Sequence, residues 1–449
     1  MDVQECDLFV IGGGSGGVRA ARMAGKYGAR VVIAEEYRYG GTCVIRGCIP
    51  KKLMVYASHF ARDFADAAGY GWTVDATLDW AALRDNVQAE VSRLSGIYER
   101  LLDEAGVEAV HGRARLVDAH TVAVGERRFR AKTILVAVGG APVMPSFRGA
   151  ELAISSNEFF TMPELPRRAV VAGGGYIAVE LAHVLAGLGV ETSLVHRRDR
   201  VLRRFDDDIR TAATEGLEAA GVTLHMEDTI HGIEADGDAR RVVLGGGVTL
   251  DCDLVLAALG RMPTTGGMGL EEAGVQLEEH GAVIVDEMSR SSVEHIYAVG
   301  DCTGRVQLTP AAIREGQAFA DSVFGGTPTP VVHDRVPSAV FAQPAVAVVG
   351  LTEEQARERF GEVAVYEARF RPLKATVARR RERMYMKVLV DAATDRVVGA
   401  HVVSEDAPEI VQVVAVAMEA SATKAHLDRT LAIHPTTAEE LVLLRTRSR

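Results

Sequence analysis

The chain has 449 residues, 48% hydrophobic and 25% charged, enough for about three domains with buried cores and too well mixed for a disordered, collagen-like or coiled-coil protein. Fifty Lys and Arg against 61 Asp and Glu leave a net charge of −11, so no basic nucleic-acid footprint exists at the level of the whole chain, and an anionic ligand needs a local patch of cations. No apolar run is long enough to span a membrane, the first residues lack the layout of a signal peptide, and the five cysteines are too scattered for a disulfide scaffold. The expectation is a cytoplasmic protein, where a close pair such as Cys43 and Cys48 is catalytic or metal-binding rather than structural.

The first element is a β-prone run, Asp7 to Ile11. Gly12-Gly13-Gly14-Ser15-Gly16-Gly17 follows, then a helical stretch to about Tyr27 and a strand, Val31 to Ala34, ending in Glu35. Strand, G-x-G-x-x-G, helix, strand, acid is the dinucleotide-binding order. Gly12, Gly14 and Gly17 let a pyrophosphate approach the backbone at a helix N-terminus, and Glu35 accepts from a ribose hydroxyl.

Next comes Gly40-Gly41-Thr42-Cys43-Val44-Ile45-Arg46-Gly47-Cys48-Ile49-Pro50-Lys51-Lys52. No second Cys or Cys/His pair completes a tetrahedral metal site, so no metal is expected. In an unbroken helix the two cysteines stand about 7.5 Å apart along the axis, whereas a disulfide needs Cα atoms within about 4.4–6.8 Å. A disulfide therefore requires a distorted backbone, which Gly47 permits. A distorted helix start is expected to lower the thiol pKa and favour an exchangeable disulfide; two free buried cysteines or a weak metal pair are the alternatives.

Residues 65 to 105 read as mostly helical, including Trp80 to Leu102, and Thr133 to Val138 as a strand ending at Gly139-Gly140 with Pro142 and Pro145 behind it. The opening unit then recurs. Ala169 to Ala172 is the strand, Gly173-Gly174-Gly175-Tyr176-Ile177-Ala178 the turn, helix runs to about Leu188, and Thr192 to Val195 is the next strand. The position equivalent to Glu35 is His196, followed by Arg197 and Arg198, with Arg203 beyond. Two such units imply two dinucleotides, and the missing acid implies that they differ. Arginines offer a fork to a 2′-phosphate, so the second is expected to be NADPH. Leu254 to Leu259 is a strand ending in Gly260-Arg261, and the chain resumes with His295 to Asp301. From about Val336 the strands Ala345 to Val349, Tyr385 to Val390 and Val397 to Val402 precede a helix, Ala407 to Ala420, with no glycine turn. The expected fold is α/β: two Rossmann-like dinucleotide-binding domains and a C-terminal α+β dimerisation domain. The expected boundaries are 1–145 and 263–333 for the first dinucleotide domain, 146–262 for the second and 334–449 for the last.

The motifs GGTCVIRGCIPKK, GGGYIAVE, YAVGDCTG, LTPAAIREG and HPTTAEE stand in one order and spacing along essentially the whole chain. With them the sequence resembles the flavoprotein disulfide reductases, and within them the branch that reduces glutathione disulfide. The resemblance implies FAD at Gly12, Gly14, Ser15, Gly17, Glu35, Gly41, Thr42, Lys51, Gly139, Asp301 and Thr309. It implies NADPH at Gly173, Gly175, Tyr176, Ile177, Glu180, Arg197, Arg198, Arg203 and Gly260. It implies a redox-active Cys43–Cys48 disulfide, with Cys48 facing the flavin and Cys43 as the interchange thiol, and Lys51 paired with Glu180. His434 and Glu439 become an acid/base pair that reaches the disulfide of the other subunit of a homodimer with shared active sites. Ser15, Arg19, Arg22, Tyr98 and His434 are the implied glutathione contacts. Gln317 departs from the pattern, standing where some members carry a further arginine. From the residues alone, Thr436-x-x-Glu439 reads equally as a helix capping box. A reductase for another small disulfide, or dihydrolipoamide dehydrogenase, is the runner-up.

Overall fold

The computed structural model describes residues 3–237 and 239–449. It divides into two compact units, one comprising the residues up to Lys51, Ala82–Val143 and Gly260–His333, the other Lys52–Ala81, Met144–Leu259 and Asp334–Arg449.

The first unit is built on a sheet whose parallel strands run in the order Glu108–His111, Val31–Glu35, Val3–Ile11, Arg127–Val136 and Ile296–Ala298. Leu8 to Ile11 and Val31 to Ala34 are buried without alternation, as strands covered on both faces must be. Ala114–Leu116 and Thr121–Val124 form an antiparallel meander that feeds the long strand Arg127–Val136. The helix Ser15–Lys26 lies against the helix Thr309–Val323. A Cβ on Gly316 would sit 2.4 Å from Gly16 O, so only glycine lets these backbones meet.

The second unit repeats the device. Its parallel sheet runs Thr223–Met226, Glu191–His196, Arg168–Ala172, Leu254–Ala257 and Ile154–Ser155, with a three-stranded meander between 230 and 252 feeding Leu254–Ala257. The helices after the two glycine turns, Ser15–Lys26 and Tyr176–Gly187, each have 12 residues. Gly28 and Gly189 follow them, both at φ 88, the left-handed stop that glycine supplies. The unit also holds a five-stranded antiparallel sheet, Ser338–Val340, Val346–Gly350, Val397–Val403, Met384–Asp391 and Val363–Phe370, with the helix Ala407–Glu419 against it.

The 65–105 stretch is mostly helical, as expected: the end of the helix Cys48–Ala67, a short 3₁₀ turn at Ala68–Tyr70 and the helix Trp80–Asp103, with no regular structure from 72 to 79. Gly71 at φ 83 ends the first, and Trp72 to Asp79 offers no 3.6-residue apolar repeat to bury.

Candidate active site

Each unit carries one glycine turn. At the first, Gly12 has φ +111 and a Cβ would meet Ala137 O at 2.3 Å, while a Cβ on Gly17 would meet Gly12 O at 2.1 Å. The fold demands both glycines. Gly14 is different: its φ is −79 and the nearest neighbour of a Cβ is Gly41 Cα at 3.9 Å. In the second turn Gly173 is pinned at φ +133 against Ala258 O, whereas Gly175, at φ −83, has nothing within 4 Å. Gly14 and Gly175 are thus small for something other than the polypeptide, and both open at the N-terminus of a helix, where a pyrophosphate fits.

Beside the first turn, Glu35 accepts from Gly13 N and Tyr37 N, each at 2.8 Å. In the second unit the equivalent His196 ring lies over Gly174, 2.5 Å from where a Cβ would be. Burial lowers the His196 pKa, and Arg197, Arg198 and Arg210 lower it further, so the ring is neutral at pH 7. The arginines after it divide. Arg200 and Arg210 are consumed by Asp199 and Asp207 at 2.9–3.1 Å, while Arg197, Arg198, Arg203 and Arg204 are exposed and form no ion pair among the described residues. Tyr176, half-exposed, and Ile177 begin the helix that follows. Glu180 in that helix is 3% exposed and accepts from Phe341 N at 2.9 Å.

The cysteines sit where the sequence requires a break. A helix Gly41–Arg46 ends at Gly47 and a second begins at Cys48; a Cβ on Gly47 would strike Thr42 O at 2.7 Å. The two thiols are unbridged and share a hydrogen bond. That bond, then burial, raises the Cys43 pKa above the usual thiol range, with Thr309 and Lys51 opposing. The expected lowering is therefore overturned at Cys43: a second thiol beside it penalises a second negative charge. Cys48 Sγ lies 3.6 Å from Thr309 Oγ1 at the start of the helix Thr309–Val323. The motif is tied to the glycine turn by Gly40 N donating to Gly13 O at 2.9 Å and by Gly41, at φ +60, seated on Gly14.

Around the thiols, Tyr98 is near Cys43, Cys48, Ser15 and Arg22. Burial and Cys43 raise its pKa, Ser15 and Arg22 pull it down. Arg22 Nε is buried without a hydrogen-bond partner, a donor waiting for an acceptor. Arg19 Nε donates to Gln317 Oε1 at 2.7 Å, and Gln317 Nε2 to Asp321 at 2.6 Å. Gln317 thus orients Arg19. Asp301 lies in the 3₁₀ turn Gly300–Thr303, 3.8 Å from Arg261 Nε; burial raises its pKa and Arg261 lowers it. Arg261 also donates to Gly140 O and, at 3.4 Å, to Thr42. Gly139, φ +66, faces open space, as does Gly260, φ +120, which belongs to the first unit rather than to the NADPH-type unit. Lys51 is buried near the start of the second helix of the cysteine motif.

Sequence reasoning missed Glu315. It is 1% exposed, accepts from Gly300 N at 2.6 Å, and is matched by Arg305 and His333 at 3.1 and 2.7 Å. It holds the turn that carries Asp301. The sequence masks it: Arg314 stands directly before Glu315, so the acid does not read as a lone charge in need of a partner as Glu180 does.

In the last sheet's unit, His434 Nδ1 lies 3.1 and 3.0 Å from the two Glu439 oxygens. The His434 side chain is 81% exposed and that of Glu439 11%, so the carboxylate is fixed and the ring presented. Glu439 N donates to Thr436 Oγ1 at 3.2 Å: one half of the capping box forms, and the glutamate side chain turns to the histidine instead.

Residues 6–316 match the family described as pyridine nucleotide-disulphide oxidoreductase, and residues 336–445 match its dimerisation domain. The chain belongs to the pyridine nucleotide-disulphide oxidoreductases. It is 50% identical over 448 residues to a glutathione reductase of Burkholderia cepacia, covering 100% of both chains. It is 46% identical to a glutathione reductase of Nostoc sp., over 98% of this chain and 99% of that one. It is 44% identical to the chloroplastic/mitochondrial glutathione reductase of Pisum sativum, over 99% of this chain and 83% of that one. In this member of the oxidoreductases no helix among the described residues is long and apolar enough to cross a membrane.

Proposed function

We propose that this protein reduces glutathione disulfide to two glutathiones with NADPH, using FAD and the Cys43–Cys48 couple. The observation that carries it is the thiol pair at the broken helix, whose motif Gly40 N ties to the first glycine turn, with Tyr98 and Arg22 beside it. The full-length identity to three glutathione reductases supports the substrate. When bound, FAD and NADPH supply the two electrons that return the Cys43–Cys48 disulfide to the dithiol.

The chain's own residues do the rest. Gly12, Gly14 and Gly17 with Glu35, Gly41, Thr42, Gly139, Asp301 and Thr309 hold FAD. Gly173, Gly175 and Tyr176 with Arg197 and Arg203 hold NADPH. Arg19 and Arg22 meet the carboxylates of glutathione disulfide, the local cations that a chain of net charge −11 must supply. Cys43 as thiolate attacks one sulfur, the first glutathione leaves, and Cys48 displaces the second as the disulfide re-forms. One NADPH and one proton are consumed per disulfide. Because Cys43 holds its proton tightly, a base must share it. We assign that base, and the acid that protonates the departing thiolate, to His434 oriented by Glu439, acting on Cys43 of the partner subunit in a homodimer. A dithiol that must stay reducible suits the cytoplasm.

The test is NADPH and NADH oxidation against a panel of glutathione disulfide, glutathione amide disulfide, lipoamide and trypanothione disulfide, with Cys43→Ser as control. NADPH with glutathione disulfide should dominate and the control should lose turnover. Lipoamide turnover with NADH as the best pair would overturn the reading.

A further inference from the structure

The arginines after His196 are held by a two-ended clamp whose far end lies outside the dinucleotide-binding sheet. At the near end, Leu202 N donates to Gly174 O at 2.7 Å. Leu202 adopts φ 55 with its side chain buried, a backbone region that a branched residue enters only when its surroundings enforce it. Phe205 N returns to Leu202 O at 2.8 Å, so Arg203 and Arg204 occupy the corner of a tight turn.

At the far end stands Asp206, three residues after Arg203. It caps the helix Asp207–Ala219, accepting from Asp208 N at 3.2 Å. Its second oxygen accepts from Glu353 N at 2.8 Å, and Lys387 Nζ donates to the first at 2.8 Å. Asp206 and Lys387 are each about fully buried, with side chains 1% exposed. Lys387 also reaches Asp208 at 2.7 Å and Glu353 at 2.8 Å. Arg449 closes the cluster, meeting Asp208, Glu353 and Glu367 at 2.7, 2.8 and 3.0 Å. Lys387 belongs to the strand Met384–Asp391, every other residue of which except Asp391 is apolar or aromatic. A lone ammonium there is tolerable only because three carboxylates surround it.

We infer that Lys387 is a positioning residue for cofactor selection: from the antiparallel sheet it pins Asp206 and, with Arg449, offsets part of the negative charge of Asp206 and Asp208, so that the turn bearing Arg203 is fixed where a 2′-phosphate docks. The inference rests on the NADPH reading above. It assigns Lys387 no contact with the nucleotide. Its loss weakens recognition of the 2′-phosphate while the glycine turn, which holds the pyrophosphate, keeps its own anchors at Val195 O and Ala258.

The experiment is calorimetric binding of 2′,5′-ADP and of 5′-ADP to the holoenzyme, wild type and Lys387→Met, with steady-state kinetics alongside. The 2′,5′-ADP affinity should fall about tenfold or more, the scale of one charge-assisted hydrogen bond to phosphate. The 5′-ADP affinity should change less than about twofold, and kcat at saturating NADPH should hold while KM for NADPH rises. Equal weakening of both nucleotides, or no change in either, would overturn the inference. Wild-type protein that binds the two nucleotides equally would instead refute the NADPH reading, and the inference with it. Should Lys387→Met fail to fold, Arg449→Ala at the exposed rim of the cluster takes its place, with a smaller loss confined to 2′,5′-ADP expected and an equal loss for both nucleotides overturning the idea.

Discussion

Glycines of one turn have different owners. Gly17 is owned by the fold, since its Cβ would lie 2.1 Å from Gly12 O, whereas at Gly14 a Cβ would meet nothing closer than 3.9 Å, and the proposed function gives that position to FAD. Gly17→Ala should therefore cost about 1–3 kcal/mol or more of stability, as overpacking does. Gly14→Ala should leave the melting temperature of the flavin-free protein within about 2 °C, yet yield protein that retains much less FAD on purification. Thermal melts and flavin-to-protein absorbance ratios check both; a Gly14→Ala protein that keeps full FAD would remove Gly14 from the cofactor floor. Arg19 is a related case. Its guanidinium is aimed by Gln317, itself held by Asp321, so the departure at position 317 substitutes orientation for charge.

A helix break positions the chemistry at the scale of elements. Gly41–Arg46 and Cys48–Ala67 are two helices because Gly47 folds the backbone against Thr42 O, and this offset lets Cys43 and Cys48 share a hydrogen bond. Gly47→Ala places a Cβ 2.7 Å from that oxygen, so the helices must part. Turnover of glutathione disulfide should fall about a hundredfold, the effect of an ångström-scale misplacement, while NADPH still bleaches the visible flavin absorbance. Stopped-flow absorbance and steady-state assay separate the two, and unchanged turnover would show that the break is incidental. The same scale carries the internal repeat. Gly40 N caps Gly13 O in one unit and Leu202 N caps Gly174 O in the other, one contact with glycine at φ 115 and leucine at φ 55.

For the whole molecule, protonation and assembly make separate predictions. Burial lowers the pKa of His59 to about 4 and lowers those of His183, His196 and His401. Below a free-histidine pKa of about 6.5 the unfolded chain takes up protons that the folded chain refuses. Stability should accordingly fall from about pH 6.5 downward through about 4, before carboxylates contribute. Glu353, whose burial is outweighed by the hydrogen bonds from Arg449 and Lys387 that lower its pKa to about 2, contributes stability above the free carboxylate pKa, and that stability is lost progressively as pH falls from about 4.5 through about 2. Melting temperature measured from pH 8 to 2 should decline in that order, and a flat profile from pH 7 to 5 would contradict it. Assembly is tested by complementation. Mixing inactive Cys43→Ser and inactive His434→Ala proteins under subunit exchange should restore about a quarter of full activity, because half the dimers of twofold symmetry are mixed and each has one intact site. No recovery after demonstrated exchange would show that His434 serves its own chain.

The local elements were legible because their signals are local. A β-prone run into G-x-G-x-x-G fixes strand, turn and helix through sterics alone, and the repeat from Gly12 to Gly173 carries the same order twice. The cysteine spacing demanded a break, and the break falls at Gly47. The resemblance supplied the pairing of distant motifs. Tertiary structure decided what depends on neighbours remote in sequence: which arginines are free, since Arg200 and Arg210 are indistinguishable from Arg197 until Asp199 and Asp207 are seen to hold them. It decided the direction of the Cys43 pKa, because the proximity of a second thiol outweighs a helix start. It also decided the use of Glu315 and Lys387. Lys387 is visible in the sequence as a lone charge in an apolar stretch and Glu315 is masked by Arg314 beside it, but a buried charge is defined by its partners, and those of Lys387, at 206, 208 and 353, are brought together only when the chain folds.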